Sequence, residues 1–138
     1  MSVDSVTVPK LPFALLRLLS DGEFHSGEAM AAQFGLSRGA VWYQVRRAEQ
    51  VGLKVFKVRG RGYRLSRPLD LLDAKRLSDL LAATAPRMSA TVLEECDSTS
   101  AELARNESAA HGAVVVCEYQ HAGRGRRGNT WHSGVGTG

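Results

Sequence analysis

The sequence predicts an α+β chain: a winged helix-turn-helix module over residues 1–67, followed over residues 68–138 by the truncated start of an α/β domain. Three observations predict it. The first half strings short amphipathic segments between glycine turns and then adds a glycine-centred pair of β-forming runs. The same half concentrates the positive charge of the chain. The second half alternates helical and strand-like apolar runs and closes on glycine- and arginine-rich loops.

Met1 to Thr7 is a loose end without apolar periodicity. Leu11 to Leu19 places Leu11, Leu15, Leu18 and Leu19 at helical spacing and stops at the turn pair Asp21-Gly22. A second helix runs from Gly27 to Phe34, with Ser26 as its N-cap, Glu28 in the first turn where a negative charge suits the helix dipole, and Gly35 ending it. Ser37 caps a third helix that reaches about Val51-Gly52. Its Val41, Val45 and Ala48 fall on one face and pack on the first two helices. Helix, glycine turn, helix is the arrangement by which proteins enter the DNA major groove.

The opposite side of the third helix carries Arg38, Gly39, Trp42, Tyr43, Arg46 and Arg47. Its N-terminal part reaches base edges, which points to Arg38, Trp42 and Tyr43, while Arg46 and Arg47 suit phosphates. Packing against the wing is an equal alternative for Trp42 and Tyr43. Leu53 to Val58 is a strand, Arg59-Gly60-Arg61-Gly62 a turn and Tyr63 to Leu65 the returning strand, with Phe56 paired to Tyr63 across it. Arg59, Arg61 and Arg64 of this wing then lie along the DNA backbone.

The charge distribution agrees. Between Ser37 and Arg67 nine arginines and lysines stand against Glu49 alone, a local charge of +8 in a chain whose total is +4, so the remaining residues sum to −4. A basic block inside an otherwise acidic chain is a footprint for a polyanion.

Ser66-Arg67-Pro68 marks the boundary. Leu69 to Ala83 reads as an amphipathic helix built on Leu71, Leu72, Leu77, Leu80 and Leu81, and Pro86 ends the helical possibility. Thr91 to Cys96 is a strand, Ala101 to Asn106 a short helix and Gly112 to Cys117 a second, buried strand. Two strands and two helices are too few for a sheet with covered faces, so the second module is expected to be the opening of a larger domain. Cys96 and Cys117 lack metal-type spacing and are expected to be free, and His25, His111, His121 and His132 show no ligand pattern, so no metal site is expected. No signal peptide or long apolar span is present, which points to the cytoplasm.

The second strand leads into Tyr119-Gln120-His121-Ala122-Gly123-Arg124-Gly125-Arg126-Arg127-Gly128-Asn129-Thr130-Trp131. Glycines at alternate positions let backbone N–H groups approach a ligand closely. The arginines between them offer planar forks for carboxylate or phosphate oxygens. Trp131 offers a face for a flat ring. These parts suit an anionic, nucleotide-like ligand. A flexible RG segment touching nucleic acid would explain the arginines but not the strand ahead of them.

Gln120 to Trp131, with Ser98-Thr99 upstream and Gly22-Glu23-Phe24-His25-Ser26-Gly27-Glu28 near the start, resembles the bacterial family of bifunctional biotin protein ligases and biotin operon repressors, from about Val8 to Ser133. The resemblance implies an α/β biotin protein ligase catalytic domain after the winged helix. It implies an ATP-dependent enzyme, with Mg²⁺ accompanying ATP, that makes biotinyl-5′-adenylate and passes biotin to a lysine of the biotin carboxyl carrier protein of acetyl-CoA carboxylase. It further implies a homodimer that binds operator DNA and represses transcription. Position by position, Ser98, Thr99, Ser100, Gln120, Arg124, Gly125 and Arg126 match biotin-binding residues. Gly123, Arg124, Arg126, Arg127 and Trp131 match those for ATP or its adenylate, and Arg124 and Arg126 are the catalytic candidates. Ser100 replaces the family's usual asparagine and loses an amide donor. The family's Lys-Trp-Pro-Asn-Asp motif has no match in the sequence, so the 138 residues are expected not to complete adenylation by themselves. The alternative is a stand-alone winged helix transcription regulator whose second module senses a small anion without catalysis.

Overall fold

A computed structural model describes residues 10–136. In chain order it comprises α1 (Phe13–Leu19), α2 (Gly27–Phe34), α3 (Arg38–Gln50), β1 (Val55–Val58), β2 (Gly62–Leu65), α4 (Ala74–Thr84), β3 (Ser89–Cys96), α5 (Thr99–Arg105), β4 (Ala113–Gln120) and a 3₁₀ turn at Arg126–Gly128. The winged helix-turn-helix followed by an α/β segment is the α+β arrangement expected. The loose end at residues 1–7 lies outside the described residues.

Local signals set the first module. The Ser26 hydroxyl accepts from the Ala29 N–H at 3.0 Å, the Ser37 hydroxyl from the Ala40 N–H at 3.1 Å, and Gly35 ends α2 at φ +64°. Val41, Val45 and Ala48 are fully buried against α1 residues Leu15, Leu16 and Leu19 and against Met30 of α2. Helix α1 starts two residues later than its leucine spacing predicts, with Pro12 at its N-cap position. It buries Phe13 and Leu16 as well, while Leu18 is only half-buried, because the hairpin and the chain after Gly134 enclose it on more than one side.

The hairpin differs from expectation by one residue. Phe56 faces Arg64, and Tyr63 faces Lys57, because Val58 pairs with Gly62 across the three-residue loop 59–61. Register follows burial: Val55 and Leu65, both buried, sit opposite each other, and a one-residue slip of either strand would turn its own buried residue outward. A third strand-like partner fixes it. His25 and Tyr63 exchange two backbone hydrogen bonds of 2.9 Å, which ties the wing to the α1–α2 connection.

The linker corrects a second expectation. Residues 69–73 are not helical; α4 begins at Ala74, capped by the Asp73 carboxylate accepting from the Arg76 N–H at 2.9 Å. Leu69 is instead buried in the first module, its N–H donating to the Ser20 carbonyl at 3.1 Å. Helix α4 buries none of its residues fully and leaves Leu80 exposed.

Strands β3 and β4 pair in parallel from Ser89↔Ala113 to Cys96↔Gln120, joined by α5. Both strands are longer than the apolar runs suggest. β4 continues through Glu118 and Tyr119 to Gln120, because ladder bonds to β3 hold polar residues that composition would assign to a loop. Helix α5 starts at Thr99, two residues early.

The modules share a core. Val135 is 2% exposed and belongs to the same cluster as Leu15, Leu65 and Leu69. The Leu11 N–H donates to the Glu95 carboxylate at 2.9 Å, and Arg17 pairs with Glu94 at 3.3 Å. Among the described residues no helix is long and apolar enough to cross a membrane.

Candidate functional site

Two surfaces carry chemistry. On the first, α3 presents Arg38, Gly39, Trp42, Tyr43 and Arg46 to solvent. Trp42 is 50% and Tyr43 57% exposed, so each keeps a face open to solvent. The Arg46 guanidinium lies over the Trp42 ring, 5.5 Å from its centroid, while Arg47 is half-buried. Arg38 pairs with Glu28 at 3.1 Å and Lys57 with Glu49 at 3.0 Å. A groove of about 490 Å³ runs between the start of α2, Arg38 and the hairpin, with Lys57 and Arg59 on its wall. On the wing Arg59 and Arg61 are exposed. Arg64 is not: its guanidinium carbon sits 5.0 Å and 5.2 Å from the Phe24 and Phe56 ring centroids, and its Nε is buried. Pairing with Phe56 in the actual register draws Arg64 into packing, away from the role of a backbone contact.

The second surface is a cavity of about 390 Å³ at the carboxyl ends of β3 and β4. Ligands in open α/β units gather at this end of parallel strands. Thr99, Gln120 and Trp131 converge on it. The Gln120 side-chain oxygen accepts from the Thr99 N–H at 2.9 Å and faces its hydroxyl at 3.4 Å, which leaves the Gln120 amide as a donor for a ligand. Of the neighbouring serines, Ser98 is 3% exposed and Ser100 points to solvent; neither lines the cavity.

The turn that presents Thr99 is held by charge. Arg105 of α5 donates to both Asp97 oxygens, at 2.9 and 2.7 Å, and to Glu102, and the Ser98 N–H donates to Asp97 at 2.7 Å. These bonds, Arg105 first, hold the Asp97 carboxyl well below the usual carboxylate range. Sequence reasoning missed both Asp97 and Arg105; their eight-residue separation across a strand-to-helix turn has no local signature.

It also missed the cavity walls. Asp70, Leu72, Glu118, His132 and Ser133 line it. The Glu118 carboxylate accepts from the Leu72 N–H at 2.7 Å and the Gly136 N–H at 2.8 Å, joining the linker to the segment after Trp131. Cys96 and Cys117 are free, and burial, with Cys117 adding to it, pushes the Cys96 thiol up to about 12.

The glycine-arginine loop is folded on itself. Arg124 bridges Thr130, the Gly125 N–H donates to the Asn129 carbonyl at 3.0 Å, and Arg127 adopts φ +58°. A Cβ on Gly125 would meet the Asn129 oxygen at 2.6 Å, and one on Gly123 would meet Trp131 Cδ1 at 2.5 Å. Close approach here is of the chain to itself. Gly123, Arg124, Gly125, Arg126 and Arg127 stand beside the cavity rather than in its wall. Among the described residues no group of three or more His, Cys, Asp or Glu is placed to hold a metal ion.

Residues 13–64 match the family described as "HTH domain", and residues 92–137 match the "Biotin/lipoate A/B protein ligase family". Over 127 residues the chain is 42% identical to the bifunctional ligase/repressor BirA of Salmonella typhimurium and 40% identical to that of Escherichia coli, in each case 91% of this chain. It is 36% identical to the same-named protein of Bacillus subtilis over 129 residues, 90% of this chain. The matches span 38%, 38% and 39% of those relatives' own lengths. A match to a helix-turn-helix domain followed by a match to the biotin/lipoate A/B ligase family makes the chain similar to the N-terminal portion of these bifunctional ligase/repressor proteins.

Proposed function

We propose that the chain is the DNA-binding and first ligand-binding part of an ATP-dependent biotin protein ligase that also represses transcription. Residues 1–67 take operator DNA, and residues 68–138 take biotin and the adenylate. Thr99 and Gln120 orient biotin. Ser98 and Ser100 take part only if the β3–α5 turn shifts. Trp131 lies against the adenine. Biotin's carboxylate must approach the α-phosphate of ATP, two anions that repel. Arg124 and Arg126, with Gly123, Gly125 and Arg127 in the same loop, offset that charge once the loop turns over the cavity. Closing the loop also keeps water from a mixed anhydride that it would hydrolyse. Mg²⁺ in this scheme arrives on the nucleotide's phosphates. The carrier protein of a biotin-dependent carboxylase receives the product, the assembly is a homodimer, and the setting is the cytoplasm. For the 138 residues themselves we assign ligand and DNA binding, not completed turnover.

The observation that carries the proposal is the meeting of Thr99, Gln120 and Trp131 at one cavity beside the arginine loop. Calorimetric titration of the chain with biotinyl-5′-adenylate tests it. Binding that Arg126→Ala weakens by an order of magnitude or more supports the assignment, on the worth of a charge-assisted contact, about 1.5–3 kcal/mol. Absence of adenylate binding with DNA binding intact would leave a ligand-sensing regulator in its place.

A further inference from the structure

The arginines of the wing have different surroundings. Arg64 is packed between Phe24 and Phe56. Arg61 approaches the same Phe24 ring more closely, its guanidinium carbon 4.3 Å from the centroid, yet it remains exposed. None of the ion pairs among the described residues uses Arg61. Arg59, two residues earlier, is exposed and rests on no ring.

Phe24 does not belong to the wing. It sits in the connection between α1 and α2, which is fixed on both sides: the Glu23 N–H donates to the Asp21 carboxylate at 2.8 Å, and His25 exchanges two 2.9 Å backbone bonds with Tyr63. The ring is half-buried and held as a seat. A guanidinium resting on an aromatic face keeps its N–H donors directed outward in its own plane, and its rotamers are restricted before any partner arrives. Less ordering is then left to the moment of binding.

We propose that Phe24 is a positioning residue for nucleic-acid binding, presenting Arg61 to a DNA phosphate from outside the wing. This deepens the DNA-binding assignment above and rests on it. Phosphate is the ligand chemistry that fits, because a fork with no carboxylate partner at the hairpin tip matches a doubly oxygenated anion. Lysine at position 61 would keep the charge and lose the planar stack.

The test is binding of a fluorescent random-sequence duplex by the whole chain across a salt series. Arg61→Ala should flatten the slope of log affinity against log salt by about 1. Phe24→Leu should weaken binding roughly 3- to 10-fold, on the worth of a cation–π contact. It should do nothing further in the Arg61→Ala background, and Phe24→Tyr should restore affinity. Arg61→Lys, at an exposed position that leaves packing untouched, should lose affinity as Phe24→Leu does. Losses from Phe24→Leu and Arg61→Ala that simply add, or full affinity in Arg61→Lys, would overturn the positioning role while leaving DNA binding in place. Failure of the unaltered chain to bind duplex would overturn both.

Discussion

Gly62→Ala is the sharpest perturbation the wing offers. Gly62 opens β2 at φ +100°, and a Cβ there would fall on the His25 carbonyl oxygen, with the His25 carbonyl carbon and Ser26 Cα both at 2.7 Å. These are backbone atoms and cannot rotate aside. The His25–Tyr63 pair must separate, forfeiting two backbone hydrogen bonds of 2.9 Å. At about 1 kcal/mol each, those bonds contribute roughly 2 kcal/mol. The left-handed backbone adds about 1–2 kcal/mol for any residue with a Cβ. The total is about 3–4 kcal/mol, a large share of the roughly 5–15 kcal/mol that holds a small domain. Gly60 supplies the control: it has φ +80° but nothing within 4 Å of a Cβ, so Gly60→Ala meets only the backbone strain. Urea unfolding followed by far-ultraviolet circular dichroism compares the two. A gap of about 2 kcal/mol moves the midpoint by roughly 1 M at ordinary urea sensitivity. Equal costs for the two variants would refute the claim that the His25–Tyr63 pair holds the wing.

Three further outcomes follow from the second module. Glu118→Gln keeps shape but turns one acceptor into a donor facing a backbone N–H, and should cost about 1–3 kcal/mol in the same urea assay; no loss would mean the carboxylate does not join Leu72 to Gly136. Cys96, held protonated up to about 12, should resist iodoacetamide at a pH where an unfolded thiol, ionising near about 8.5, reacts readily. A raised folded value means the unfolded state gives up its proton first, so Cys96 stabilises least as pH climbs from about 8.5 toward 12. Labelling of native Cys96 at the unfolded rate, read by mass spectrometry, would contradict its burial. Asp97 has the opposite sign: its depressed folded value gives stability above the unfolded pKa of about 3.9 that is lost as pH falls through the folded one. Asp97→Asn should therefore melt below the parent at neutral pH and converge with it in strong acid, and a gap unchanged by pH would refute the Arg105 pairing as its source.

Signals within a turn or two of chain were legible. Ser26, Gly35 and Ser37 mark helix ends because a cap is satisfied by atoms three or four residues away. The Val41, Val45, Ala48 face was legible for the same reason. What escaped depends on distant partners. The leucines at 69, 71 and 72 have helical spacing, but burying Leu69 against the first module outweighs propensity and delays α4 to Ala74. The polar end of β4 is a strand only because β3 lies beside it. At the site, the resemblance supplied Thr99, Gln120 and Trp131, all at the cavity, while Leu72 reaches it through a bond to Glu118 across 46 positions.

The junction explains why those distant partners matter. Where the chain crosses between modules, the N–H groups of Leu11, Leu72 and Gly136 have no helix or ladder to join, and a buried amide without an acceptor is costly. Two carboxylates take their place: Glu95 accepts from Leu11, and Glu118 accepts from both Leu72 and Gly136. Val135, between the cavity wall and the Gly136 bond, buries its side chain in the first module's core. The wall from Trp131 to Gly134 is thus anchored at both ends, by the Trp131 ring over Gly123 and by Val135 beneath Leu69's neighbourhood. Its shape is set by the packing of residues 11–69 as much as by the strands that carry Thr99 and Gln120. The segment from Trp131 to Gly134 is thus a side of the cavity held by packing at both of its ends.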